Sequence, residues 1–164
     1  MILTKKEILH ELESKKLKIT PLNKSNIGPV SIDLTLSNDF WLFPKPHSIT
    51  LSETTSAESL AVHKKLNSIT LQPGDFVLGR TLERIQMPEN LFGILSGRSR
   101  FARMGLVIDI TSFFVQPGVN NHQVLEIKNL SCHAITLKPG LRIAQLAFLS
   151  TKGYARYSGK FRNQ

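Results

Sequence analysis

The sequence predicts a mainly β domain, an all-β barrel or jelly-roll-like sandwich preceded by one short N-terminal helix. Short apolar segments recur at regular intervals over the second half of the chain. Residues 30–36 alternate between apolar and polar with a period of two, as in a strand that is buried on one face. Pro-Gly pairs, which favour tight turns, separate several of the apolar segments.

The N-terminal residues carry the pattern of a helix. Thr4 and Glu7 are three residues apart and form a capping box, which protects the first turn. Ile8, Leu9 and Leu12 then recur on one face. The spacing predicts an amphipathic helix over residues 5–15.

The rest of the chain reads as strands and turns. Residues 52–67 are polar and weakly patterned, which predicts a long loop. The segments Ile69–Gly74 and Ile135–Gly140 resemble each other, and shared turn chemistry is sufficient to explain this. Strands are predicted at Val30–Leu36, Phe40–Phe43, Ile69–Leu71, Phe76–Thr81, Leu91–Leu95, Leu106–Ile110, Phe113–Val115, Val124–Ile127, Ile135–Leu137 and Ile143–Phe148, with Pro-Gly turns at 73–74, 117–118 and 139–140.

Length and composition narrow the function classes. A chain of 164 residues suits one domain, and no apolar run approaches the roughly 20 residues that span a bilayer. The net charge of +9 indicates an anionic partner, but aromatic residues are only 7%, which disfavours a nucleic-acid binder that stacks bases. Cys132 is the single cysteine, and the first residues do not resemble a secretory signal. We therefore expect a soluble, cytoplasmic protein with neither a membrane nor a nucleic acid as partner.

The segment Gly97–Gly105 is the first candidate site. It holds Arg98, Arg100 and Arg103 with no acidic residue among them. Ser99 stands where a hydroxyl could cap a short helical turn, and Gly105 where the turn could end. Such a turn could hold a polyphosphate through backbone N–H groups and arginine forks, or it could be a solvated basic surface. From this segment alone the solvated surface is favoured.

Glu126 is the second candidate. It lies in an otherwise apolar strand, between Leu125 and Ile127. It could point outward beside Gln123 and Lys128, or it could face a pocket, and the pattern favours neither. In a pocket, burial would raise its pKa and suit it to general acid–base catalysis.

Several motifs in order resemble the dCTP deaminase and trimeric dUTPase superfamily, specifically its dCTP deaminase branch. The resemblance covers nearly the whole chain, and the separate motifs keep the family's order. They are Met1–Ile8, Ile27–Leu34, Pro73–Gly79, Gly97-Arg98-Ser99, Ala102-Arg103 with Gly105-Leu106, the Pro117-Gly118 turn, Val124-Leu125-Glu126 and the tail Tyr157–Gln164.

The resemblance implies a homotrimer whose subunits have a distorted jelly-roll, β-clip-like core, with active sites between subunits. Residues 1–164 would form a single domain, with 150–164 as a C-terminal tail that closes over the nucleotide. Glu126 would activate water for attack at C4 of cytosine and carry protons to the departing ammonia, while Ser99 and Arg103 orient the water. The implied substrate-binding residues are Arg98, Arg100, Thr111, Ser112, Gln116, Val124, Leu125, Tyr157, Lys160 and Gln164.

The resemblance also implies that Mg²⁺ enters with the nucleotide triphosphate and that the protein itself binds no metal. A zinc deaminase needs a His-x-Glu element and a Pro-Cys-x-x-Cys element. A chain with one cysteine cannot supply them, which independently excludes the zinc deaminase class. The expected partners are dCTP, dUTP as a further substrate, and dTTP as an inhibitor.

The chain departs from the family pattern around the candidate site. Gln116 stands where dUTPases and bifunctional deaminases have an aspartate, and an amide is not a general base. Arg100 replaces a serine, Phe114 an arginine of many members, Asp109 a frequent histidine and Asn121 a glycine. We therefore expect a dCTP deaminase that forms dUTP and ammonia. The alternatives are a dUTPase or bifunctional deaminase–dUTPase, and a non-catalytic nucleotide-binding regulator.

Overall fold

A computed structural model describes residues 1–44 and 48–163, and it confirms the mainly β prediction. Two α-helices, three short 3-10 helices and eleven strands lie in the described part of the chain. The α-helices are α1 (Lys5–Glu13) and α2 (Ser99–Ala102). The strands are β1 (Lys18–Thr20), β2 (Ser31–Leu42), β3 (Val62–Lys65), β4 (Ile69–Leu71), β5 (Phe76–Gln86), β6 (Leu91–Gly97), β7 (Leu106–Ile108), β8 (Phe114–Val115), β9 (Asn120–Asn129), β10 (Ile135–Leu137) and β11 (Arg142–Ser150).

Nine of these strands form one large sheet. Its main path runs β7-β9-β5-β2-β11-β6-β8, with β1 paired to β5 and β3 paired to β2. The strand pairs of the described residues are antiparallel, and the register shifts within the β2–β5, β5–β9 and β2–β11 pairs. Such irregularities bend strands, which lets the long sheet curl around its own apolar face.

The core lies on the inner face of this sheet. Along β9, buried and half-buried side chains alternate from Asn120 to Asn129, as expected for a strand with one face inside. Leu125 and Ile127 from β9 and Phe148 from β11 are fully buried. The opposite face of β9 therefore remains available to present polar groups such as Glu126.

The two similar segments pair with each other. β4 and β10 form a separate two-stranded antiparallel ribbon in which Thr70 lies opposite Thr136, and their hydroxyl oxygens are 2.9 Å apart. Each arm is bounded by a Pro-Gly turn, and both glycines are left-handed, with φ of 88° at Gly74 and 90° at Gly140. Shared turn chemistry explains the similarity in sequence, and the pairing is an additional structural finding.

The predicted helix is shorter than expected. Its capping box between Thr4 and Glu7 is present, but the helix ends at Glu13 rather than at residue 15. Lys15 has a φ of 59°, a left-handed conformation that does not continue a right-handed helix.

Most strand predictions hold, but β1 was not predicted, and β5 and β9 extend beyond their predicted bounds. Three further differences have a physical reason. The loop prediction for residues 52–67 was wrong in part, because Val62–Lys65 pairs with β2 as an exposed edge strand and lacks an alternating pattern. The segments predicted around Leu34 and Phe40 form one strand through buried Ser37 and Asp39. The strand β7 ends at Ile108, because Asp109 turns the chain with a φ of 57°.

No helix in the described part of the chain is long and apolar enough to cross a membrane. The single cysteine, Cys132, is a free and exposed thiol.

Candidate active site

The arginine segment forms a short turn between β6 and β7. The residue that caps α2 is Arg98, in an extended conformation, and Ser99 is the first helical residue rather than the cap. The expectation that the Ser99 hydroxyl caps this turn was therefore wrong. Ser99 is exposed, so its hydroxyl points away from the core and remains available.

The three arginines differ in what they contact. Arg98 is held by the chain itself: its Nη2 lies 3.1 Å from Oδ2 of Asp33, and its Nη1 donates to the carbonyl oxygen of Arg142 at 3.0 Å. Arg142 also reaches Asp33, at 3.4 Å. Arg100 and Arg103 are exposed and form no ion pair with any described residue. The surface of α2 therefore offers two unpaired cations.

Gly105 ends this segment, as the sequence predicts. Its φ is 82°, and its carbonyl oxygen accepts a hydrogen bond from the backbone N–H of Leu130 at 2.8 Å. A Cβ at this position would lie 2.8 Å from the backbone nitrogen of Ser131. The close approach fixes α2 against the turn that follows β9.

Glu126 lies on the half-buried face of β9, with Val124 and Lys128 on the same face. Its carboxylate accepts hydrogen bonds from the loop that follows β7. The backbone N–H groups of Ile110 and Thr111 donate to Oε2 at 2.9 and 2.8 Å. The Ser112 hydroxyl donates to Oε1 at 2.8 Å, and the Thr111 hydroxyl lies 3.3 Å from both oxygens.

These hydrogen bonds determine the ionisation of Glu126. Partial burial alone would raise its pKa, but the donors from Ser112, Thr111 and Ile110 favour the charged form more strongly and lower the pKa below its usual 4.5. The expected rise in the pKa was therefore wrong in direction. Glu126 is an ionised carboxylate at neutral pH, with four donors oriented towards its two oxygens.

Asp109 is a second carboxyl beside Glu126. Its backbone N–H donates to the carbonyl oxygen of Glu126 at 2.9 Å. Burial, followed by the charge of Glu126, raises the pKa of Asp109 to about 7. In the sequence, Asp109 stands out only as a departure from the family pattern. The available signal was an acid in the apolar run Leu106–Ile110.

The structure does not bring all the predicted residues together. Thr111 and Ser112 contact Glu126 directly. No hydrogen bond or ion pair between described residues connects Glu126 to Ser99 or Arg103 on α2. Leu125 is fully buried, so its side chain is not available to a ligand, whereas Val124 and Gln116 are half-buried.

The C-terminal tail lies along its own chain at the start of β9. The backbone N–H of Tyr157 donates to the carbonyl oxygen of Pro117 at 2.9 Å. The Asn121 side chain donates to the carbonyl oxygen of Phe161 at 2.6 Å. Lys160 lies over the Phe161 ring, 5.6 Å from its centroid. Gln164 lies outside the described residues. The described part of the tail forms no hydrogen bond with Glu126.

A family profile described as dCTP deaminase-like matches residues 2–151. The chain belongs to the dCTP deaminase-like family. The "dCTP deaminase, dUMP-forming" of Mycolicibacterium gilvum is 36% identical over 160 residues, which cover 96% of this chain and 84% of that protein.

Solved structures show that this member of the dCTP deaminase-like family has the dUTPase fold. A 2'-deoxycytidine 5'-triphosphate deaminase from Agrobacterium tumefaciens matches with a TM-score of 0.70 at 20% identity, covering 90% of this chain and 47% of that chain. The dUTPase of phage 80α matches with a TM-score of 0.53 at 16% identity, covering 88% of this chain and 96% of that one. The predicted distorted jelly-roll core is confirmed.

In this dCTP deaminase-like chain, no group of three or more His, Cys, Asp or Glu among the residues described here is arranged to hold a metal ion. The carboxylate of Asp33 is already paired with two arginines.

The side chain of Asn121 anchors the tail, at a position where the family resemblance implies a glycine. Replacing Asn121 by glycine should therefore weaken the hold on the tail. Asn121 is buried, and its Oδ1 accepts a hydrogen bond from the Gln123 side chain at 2.6 Å while its Nδ2 binds the tail. We expect Asn121→Gly to release the last residues, so that trypsin cleaves after Lys160 and Arg162 at least several-fold faster than in the unmodified protein.

The matched control is Asn120→Gly, which adds a glycine to the same strand without touching the tail contact. Mass spectrometry of timed digests measures both cleavage rates. Equal cleavage rates in the two variants would show that strand flexibility, and not the Asn121 side chain, controls the tail.

Proposed function

We propose that this protein deaminates dCTP hydrolytically to dUTP and ammonia, with water activated by Glu126 and without zinc. The single observation that carries the proposal is the ionised Glu126 carboxylate, held in place by the 110–112 loop on the outer face of β9. The relative from Mycolicibacterium gilvum is named as a dCTP deaminase, which supports dCTP as the substrate.

The four donors keep this carboxylate charged and fix its orientation, but they also make it a weaker base than a glutamate with a raised pKa. Four donors occupy its oxygens, so a water molecule must replace one of them. The Thr111 hydroxyl makes the weakest of these hydrogen bonds, because it lies 3.3 Å from each oxygen. Water would therefore displace this hydroxyl most easily. Glu126 would pass the first proton of the water to N3 of the cytosine ring and the second to the departing ammonia, and so return to its charged form without a metal-bound nucleophile.

The exposed face of α2 would bind the triphosphate. Arg100 and Arg103 have no ion-pair partner, and guanidinium groups bind phosphate oxygens with paired hydrogen bonds. Ser99 adds a hydroxyl. Mg²⁺ would enter as part of the nucleotide. Arg98 would contribute chiefly by orienting α2, because Asp33 and the Arg142 carbonyl already engage its guanidinium.

We further propose that the complete site forms between copies of the chain in a homotrimer. The support is the separation described above: within one chain, α2 and Glu126 share no polar contact. In such an assembly, Tyr157, Lys160 and Gln164 of the tail would complete the contacts to phosphate and base. dTTP is the corresponding candidate inhibitor.

A second candidate is deamination followed by release of pyrophosphate. The relative from Mycolicibacterium gilvum is named as dUMP-forming, which favours this two-step reaction. Gln116 counts against it, because an amide cannot take a proton from the water that attacks the phosphate at neutral pH.

The deciding experiment incubates the purified protein with Mg²⁺ and either dCTP or dUTP, and separates the products by anion-exchange chromatography. Formation of dUTP from dCTP, with dUTP itself unchanged, supports the deaminase alone. Formation of dUMP in either tube supports the two-step reaction. Binding of both nucleotides without any product would overturn the proposal in favour of a nucleotide-binding regulator.

A further inference from the structure

The backbone conformation of Asp109 is energetically unfavourable for most residues. No side-chain hydrogen bond to another described residue compensates for it. It follows β7 with a φ of 57°, a conformation that aspartate, asparagine and glycine tolerate better than other residues. Its side chain does not use this geometry for a local turn, because neither oxygen forms a hydrogen bond of normal geometry with a described residue. The backbone of Glu126 stabilises the charged form only weakly, and burial outweighs it.

The carboxyl of Asp109 is also shielded from water. Both oxygens are buried, and neither forms a hydrogen bond with another residue that the structure describes. An ionised carboxylate without donors is very unfavourable in such a place, whereas the neutral acid costs much less. The structure therefore favours a form of Asp109 that keeps its proton.

The same short segment connects Asp109 to Glu126. The Asp109 N–H donates to the backbone carbonyl of Glu126, and the next two N–H groups, of Ile110 and Thr111, donate to the Glu126 carboxylate. The pKa of Asp109 is raised to about 7, whereas that of Glu126 is lowered. At pH values below about 7, the two neighbouring carboxyls thus differ in charge, with the proton on Asp109.

The charged group that acts on Asp109 is Glu126 from β9. The other β7 residues are apolar, and Lys128 of β9 is paired with Val107, two residues earlier in the chain. The arginines of α2, which packs against β7, form no ion pair with Asp109. No described cation therefore compensates the carboxyl.

We propose that Asp109 is a positioning residue: its neutral side chain stays buried and thereby keeps the 110–112 donors on an ionised Glu126. The inference rests on the proposed function of Glu126. When Asp109 loses its proton, its new charge must leave the interior, and the attached segment moves with it. Glu126 then loses the donors that orient it, so turnover falls as pH rises through the ionisation of Asp109.

The test is Asp109→Asn, which keeps the shape, tolerates the left-handed backbone and cannot ionise. The kcat for dCTP is measured from about pH 5.5 to about pH 9 in both proteins, a range that spans the ionisation. We expect the unmodified protein to lose activity above about pH 7, approaching tenfold per pH unit. We expect Asp109→Asn to stay within about threefold of the unmodified protein at pH 6 and to lack this fall.

Two outcomes would overturn the proposal. The first is an alkaline fall that Asp109→Asn leaves unchanged. The second is a loss of kcat in Asp109→Asn at every pH, which would mean that the carboxyl itself transfers a proton. Glu53→Gln, which removes an exposed carboxylate, is the control and should reproduce the unmodified profile.

A second readout is independent of activity. A carboxyl whose pKa is raised from 3.8 in the unfolded chain to about 7 in the folded protein costs no stability below pH 3.8. The cost accumulates as pH rises towards about 7 and then levels off. The Tm of Asp109→Asn should therefore be close to that of the unmodified protein near pH 4 and clearly higher near pH 7.5.

Asp109→Gly tests the same pH dependence with a residue that adopts this backbone freely. If the Tm difference is the same at both pH values, Asp109 does not hold a proton. If no dCTP is converted at any pH but the Tm difference still grows between about pH 4 and about pH 7.5, the proposed function is wrong. The inference that Asp109 keeps its proton in the folded protein is then still supported.

Discussion

Replacing Glu126 by glutamine is expected to lower kcat for dCTP deamination by about 10³-fold or more, with nucleotide affinity nearly unchanged. Glutamine has the same shape, and its amide oxygen can still accept from the N–H groups of Ile110 and Thr111. Its NH₂ group can donate to the Ser112 hydroxyl oxygen. The loop should therefore keep its place while the group that takes a proton from water is lost.

The measurement pairs steady-state product analysis with calorimetric binding of dCTP in the presence of Mg²⁺. Lys128→Gln is the matched control, because Lys128 is half-buried on the same face of the same strand. It should retain most of its activity. Turnover by Glu126→Gln within about tenfold of the unmodified protein would exclude Glu126 as the general base.

Gly105→Ala is expected to destabilise the protein by about 2–4 kcal/mol, because two costs add. The φ of 82° places an alanine in the left-handed region, which costs about 1–2 kcal/mol. The new Cβ would also lie 2.7 Å from Cβ of Ser131 and 2.8 Å from its backbone nitrogen. Backbone atoms cannot rotate away, so α2 and the turn after β9 must separate.

Urea denaturation of the two proteins gives the difference in the free energy of unfolding. Gly153→Ala is the control, because Gly153 has a φ of 92° but no atom within 4 Å of its added Cβ. The control should show the backbone cost alone. Equal losses in the two variants would mean that the contact with Ser131 contributes nothing.

Local chemistry accounts for the parts of the fold that could be predicted. The Pro-Gly turns and the capping box at Thr4 and Glu7 each depend on neighbours within a few residues. The edge strand Val62–Lys65 was missed because exposed side chains carry no periodicity, and its pairing with β2 is a contact between distant segments.

The residue types of the candidate site could be predicted from the sequence, but the directions of the pKa shifts of its two carboxyls could not. Glu126 is visible as an acid in an apolar strand, yet the direction of its pKa depends on donors from Ile110, Thr111 and Ser112, which reach it across the fold. The burial of Asp109 depends equally on tertiary packing. Neither property follows from residue spacing along the chain.

The two-stranded ribbon of β4 and β10 holds together the two ends of a long chain segment, and we call this ribbon the clasp. Residues 72–134, which carry β5 to β9, α2 and both carboxyls, leave the ribbon at Leu71 and return to it at Ile135, which lie opposite each other. Three residue pairs thus close a long loop, and closing such a loop costs conformational entropy that must be met before its interior contacts form. A substitution that weakens the clasp would loosen the candidate site from a distance, without changing any residue of that site.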